Sequence, residues 1–140
     1  VVAIGARSND GNGSSSGHTR VYRFDGNDWV QWGQDIDGEA AVDNSGQSVS
    51  INADGTVVAI GAPTNDGNGD GSGHTRVYRF DDSTMTWEQL GQDIDGEAAI
   101  DNSGASVSIN ADGTVVAIGA ALNGGNGQSS GHTRVFRFGL

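Results

Sequence analysis

Four carboxylates crowd into one short stretch, Asp35, Asp37, Glu39 and Asp43, and the pattern returns as Asp93, Asp95, Glu97 and Asp101. Like charges this close repel unless water or a shared cation offsets them. Ca2+ requires oxygen-rich, flexible loops with a glycine at the bend, and Gly38 and Gly96 supply one in each copy. A second candidate lies at 66–71, where Asp66, Asn68 and Asp70 spell D-x-N-x-D-G, the opening of an EF-hand-type loop without its closing Glu. Its counterparts decay: 10–14 keeps one carboxylate, Asp10, and 124–128 keeps none. Bound Ca2+ is the cofactor these residues suggest. The alternative is a solvated turn, because Asn, Asp and Gly also belong in turns for backbone reasons. Decay across the copies favours the turn at 66–71, whereas both acid loops hold the same acids at the same spacing.

Other chemistry is thin. His18, His74 and His132 each follow a glycine at the start of an apolar run. Zinc needs three or four ligands around one ion, and copies of one residue along a repeat array do not converge, so each His reads as a polar residue at a strand edge. Arg20, Arg23 and their copies read as partners for the abundant carboxylates. Trp29, Trp32 and Trp87 could stack on sugar rings, but as strand residues they read first as packing. No nucleophile elbow, Ser-His-Asp order or phosphate-cradling loop stands out, and the chain is expected not to be an enzyme. Asn12-Gly13-Ser14 is an N-glycosylation sequon, a candidate modification site at Asn12 if the protein is secreted by a eukaryote.

The elements that must position these loops come in repeats, which are read before anything else. V-V-A-I-G-A, a glycine-rich loop and G-H-T-R-V-(Y/F)-R-F are written three times, dividing the chain into repeats 1–56, 57–114 and a partial 115–140. In the first repeat, β-branched and aromatic runs predict strands over 1–6, 18–24, 29–33 and 47–52, joined by polar turns. The second repeat is longer because Asp81 to Thr86 replaces the shorter Asp25 to Asp28, an insertion suited to a hairpin tip. A period of this length exceeds a β-helix coil and fits a four-stranded antiparallel sheet, the blade of a β-propeller. The fold class expected is all-β: about two and a half blades, open or completed by other copies. An all-β sandwich is the structural alternative.

Composition narrows the partners. The net charge is −11, every positive charge is an Arg, and there is no Cys. Such a chain repels a phosphate backbone and an anionic membrane surface, so neither nucleic acid nor membrane insertion is expected. No apolar run approaches the roughly 18 residues that span a bilayer. The sequence opens on Val1, inside a strand pattern, and reads as a segment of something longer.

These residues resemble FG-GAP repeats, the blades of integrin α-chain-like β-propellers. Gly61-Ala62-Pro63 matches that family's Gly-Ala-Pro, and Ser45-Gly46 and Ser103-Gly104 stand where its Phe-Gly would be. The wider pattern is similar to secreted repeat proteins of marine bacteria and algae. The family's calcium loop falls here on 50–57, which has lost its first and last carboxylates and reads as a turn. The resemblance implies an extracellular protein. The expected function is a non-enzymatic structural or adhesive repeat protein that self-associates head to tail, even into a fibre. The alternative is a calcium-dependent propeller module that binds glycans or cell-surface proteins.

Overall fold

The computed structural model describes residues 1–139, and the described residues contain only strands and turns. Twelve strands follow in order: β1 (Val2–Ala6), β2 (His18–Phe24), β3 (Trp29–Gln31), β4 (Ile36–Asp37), β5 (Ser48–Ile51), β6 (Val57–Ala62), β7 (His74–Asp81), β8 (Thr86–Gln89), β9 (Ile94–Asp95), β10 (Ser106–Ile109), β11 (Val115–Ala120) and β12 (His132–Arg137). They form three antiparallel sheets. The first is β1-β2-β3 with β4 also on β2, the second β5-β6-β7-β8 with β9 also on β7, and the third β10-β11-β12. Every named pairing is antiparallel, as the short connections require.

Two details differ from the sequence expectation. The third strand stops at Gln31 instead of reaching 33, because Gly33 adopts φ +82° and turns the chain away. The polar acid loop is not all loop either. Ile36–Asp37 and Ile94–Asp95 each pair with the start of the preceding His strand, so the outermost strand is split into two pieces. The expected four strands per repeat are therefore five in the second sheet.

The repeated strand V-V-A-I-G-A explains how the sheets stack. In β6 every residue is buried, because side chains alternate between two faces and a neighbouring sheet covers each. Val58 and Ile60 join Val21 and Ile36 of the first sheet, with Tyr78, Phe80 and Trp87. Val57 and Ala59 join Val116 and Ile118 of the third sheet, with Val77. The same six letters in β11 alternate between half-buried and buried, since one face alone is covered. In β1, Ile4 stands 51% exposed where Ile60 is 1% exposed. Burying a side chain of this size stabilises by about 1.5–3 kcal/mol, so the middle sheet draws its stability from both neighbours.

The hairpin turn at 52–56 closes on itself. Asp54 Oδ1 accepts bonds from the Thr56 amide (3.0 Å) and hydroxyl (2.5 Å), and Asn52 Oδ1 accepts the Val57 amide at 2.9 Å. Asn110, Asp112 and Thr114 repeat the arrangement. The oxygens of this turn serve the hairpin itself.

Candidate metal site at the sheet junctions

The split outer strand sets the geometry of the site. Pairing β4 with β2 puts His18 opposite Asp37 and Thr19 opposite Ile36, while β9 puts His74 opposite Asp95. Each histidine therefore lies against the first acids of the loop that follows it. His18 Nδ1 is 3.6 Å from Asp35 Oδ2 and 3.9 Å from Asp37 Oδ1. His74 Nδ1 is 3.5 Å from Asp93 Oδ2 and 4.0 Å from Asp95 Oδ1. It also faces the preceding repeat, 3.9 Å from Glu39 Oε2. Ligand atoms of His18, Asp35 and Asp37, and those of Glu39, His74 and Asp93, lie close enough together to hold a metal ion.

Each histidine is the first residue of its strand, as expected, and two of them have surroundings that the sequence does not show. His18 and His74 are buried and turned toward carboxylates. The signal was present, because both repeats pair a G-H-T strand with a D-I-D loop. It was missed because two residues inside a polar loop show no strand periodicity.

The other candidate ligands have different work. Asp43 and Asp101 are buried, and each Oδ2 accepts from an Asn of the next repeat, Asn65 Nδ2 at 2.9 Å and Asn123 Nδ2 at 2.8 Å. The same oxygens accept the amides of Ala40 and Ala98, both at 3.1 Å. A buried carboxylate needs such partners, and these two hold one repeat's acid loop to the next repeat's glycine-rich loop. Glu97 lies 3.7 Å from Arg134, across the second junction. In the 66–71 loop, Asp66 Oδ1 accepts the Gly71 amide at 2.8 Å. Asn68 Nδ2 donates to the carbonyls of Gly96 (2.8 Å) and Glu97 (3.2 Å). Asp70 is exposed.

Asn12 repeats the role of Asn68. Its Nδ2 donates to Gly38 O (2.8 Å) and Glu39 O (3.1 Å), so the nitrogen that a glycan would occupy clips the acid loop in place. Both acid loops also hold a β-branched residue in the left-handed region, Val42 at φ 70° and Ile100 at φ 67°. Such strain persists only where surrounding bonds over-determine it. Here the Val42 amide donates to Ser14 O and the Ile100 amide to Asp70 O, each at 2.8 Å.

The arginines distinguish the repeats. Arg20 turns back on its own loop, with Nε and Nη2 donating to the two oxygens of Asp35 at 2.8 and 2.9 Å. Arg76 instead crosses the junction: Nη2 donates to Asp37 O at 2.6 Å, and Nη1 lies 3.6 Å from Glu39. Arg134 likewise donates to Asp95 O. The two junctions are thus bridged by the same residue types, one arginine at each.

Protonation follows these contacts. Arg20, helped by Gln31, holds Asp35 down at about 2. Burial pushes the His74 imidazole below its ordinary value despite the Asp93 carboxylate, which favours the neutral ring. Hydroxyl and amide donors two residues on lower Asp54, Asp81 and Asp112, and the amides of Asp28 and Asn27 lower Asp25. These folded-state values lie below the unfolded carboxylate value of about 3.9. Their stabilisation is full above about pH 4 and is lost as pH falls through the folded values. Urea midpoints at low salt are expected to drop steeply between about pH 4 and pH 2, and Asp35→Asn to lower the midpoint near neutrality while flattening that fall. A midpoint constant across the interval would refute the assignment.

Compared with models of known protein families the chain matches none, and no curated protein matches it.

Proposed function

We propose that this chain is a non-enzymatic structural or adhesive repeat protein of the extracellular β-propeller type, built to associate with copies of itself. Its three sheets are read as successive blades, and the FG-GAP resemblance of Gly61-Ala62-Pro63 supports that reading. One observation carries the proposal: the stack displays uncovered the apolar face that its interior buries. Ile60, Phe80 and Trp87 of the middle sheet pack against the first sheet. Their counterparts in the first sheet, Ile4, Phe24 and Trp29, lie together on the outward face and are exposed. On the third sheet Val135, the counterpart of buried Val77, is exposed as well. Large apolar residues grouped on one surface mark an interaction site. Faces that repeat an internal junction suit head-to-tail contact, which extends without closing unless its rotation closes a ring.

Electron microscopy of the protein at moderate dilution, with and without chelator, tests the reading. The expected result is regular elongated assemblies, abolished by Trp29→Asp. Discrete particles at every concentration would overturn it. Discrete particles that bind a glycan or a cell-surface protein only with calcium present would put the second reading, a calcium-dependent binding module, in its place. The carboxylates of the acid loops favour that second reading, with Asp37, Glu39, Asp93, Asp95 and Glu97 as the available oxygens, since Arg20 takes both oxygens of Asp35.

A further inference from the structure

The middle histidine occupies a place that calcium chemistry does not explain. His74 is 1% exposed, and its Nδ1 has no hydrogen-bond partner. A buried polar atom is almost always paired. The three carboxylate oxygens in front of it, on Asp93, Glu39 and Asp95, stand at 3.5, 3.9 and 4.0 Å. These distances are too long for hydrogen bonds. They approach the spacing of ligands that share one ion, because a tetrahedral site with bonds of about 2.0–2.1 Å sets its ligands about 3.3 Å apart.

We propose that Glu39, His74 and Asp93 form a binding site for a borderline divalent transition ion of the zinc class, placed across the junction between the first and second repeats. The donor set decides the class. Ca2+ takes six to eight oxygens, whereas imidazole nitrogen with two carboxylates suits Zn2+ and its neighbours. One carboxylate comes from the first repeat, while the histidine and the other carboxylate come from the second, so the ion ties two sheets together.

Two further features prepare the site. Gln89 Nε2 donates to Asp93 Oδ1 at 2.8 Å, which orients the carboxylate and leaves Oδ2 toward the histidine. Arg76 reaches across to Asp37 O and Glu39, so Asp93 lacks the bidentate guanidinium that covers Asp35 in the first repeat. Three carboxylates against one arginine leave an excess negative charge that a divalent cation offsets. Around His18 the set is incomplete by comparison, since Arg20 occupies both oxygens of Asp35. The site stands whether or not the chain assembles with its own copies.

The test is calorimetric titration of the chelator-stripped chain with Zn2+, with Co2+ absorption as the probe of geometry. One tight ion per chain is expected, with tetrahedral Co2+ bands and a raised melting temperature, all persisting in excess Ca2+. Glu39→Gln and Asp93→Asn, both at partly exposed side chains that leave the core intact, should each weaken binding at least about ten-fold. His74→Asn should abolish it, and His18→Asn should leave it unchanged. Absence of Zn2+ binding, binding that survives both carboxylate variants, or displacement by equimolar Ca2+ would each overturn the proposal.

Discussion

Replacing Trp87 with Ala is expected to destabilise the protein by about 3–5 kcal/mol, whereas the same change at Trp29 shifts stability by less than about 1 kcal/mol. The two occupy one position in the repeat, opposite Phe80 in β8 and opposite Phe24 in β3. Trp87 is 3% exposed and Trp29 56%. The buried indole packs edge-on against Trp32 and Phe80, with ring centroids 5.9 and 5.3 Å apart. Its Nε1 donates to Trp32 O at 2.8 Å, and Gln34 brackets its backbone with two bonds of 2.9 Å. Truncation would leave a cavity and orphan a carbonyl, at the place where the first and second sheets meet. Urea denaturation of the two variants checks the pair. Equal losses would mean that the sheets do not dock as described.

An equally large effect is expected from one added methyl group. A Cβ at Gly61 would overlap the Gly104 carbonyl oxygen and Ser48 Oγ. The first of these is backbone of the turn that leads into β10 and cannot swing aside. Gly61→Ala should therefore force the second and third sheets apart, with a loss above about 3 kcal/mol. Gly119 occupies the same position in β11, where the close neighbour is the hydroxyl of Ser106. A serine rotamer can move, so Gly119→Ala is expected to stay within about 1 kcal/mol of the parent. Thermal unfolding of both variants reads the difference, and a tolerated Gly61→Ala would refute the close approach of the sheets.

Strands with β-branched or aromatic runs were legible from sequence, as were the turns between them and the repeat that multiplies both. What the sequence did not carry was environment. Three copies of V-V-A-I-G-A have three burial patterns, because burial depends on which sheets lie alongside and not on the letters. Ile36–Asp37 was hidden for a related reason: two residues give no period, and only their register on β2 makes them a strand. Missing it separated His18 and His74 from the acids that face them. The candidate acids themselves were legible as residues but not as roles. Asp43 and Asp101 are identical in type to Asp35 and Asp93, yet partners from the following repeat take them into the junction. Val42 and Ile100 were beyond prediction, since β-branched residues avoid positive φ unless tertiary bonds impose it.

The repeated ladder has a kinetic consequence. Strands β1, β6 and β11 pair with β2, β7 and β12 in one common register. A collapsing chain therefore meets three equivalent partners for each strand, and β6 satisfies β12 as readily as β7. Proximity along the chain sorts them only weakly, because each doubling of loop length costs just about 0.6 kcal/mol. Between crowded molecules even that bias fades, and exchange of whole hairpins becomes a route to error. The aromatic cluster gives one junction an identity of its own: Leu90 stands where Trp32 does, so the indole of Trp87 finds its socket in the first sheet and has no duplicate among the described residues. Variation among the copies thus acts as an address label, and the tryptophans write it.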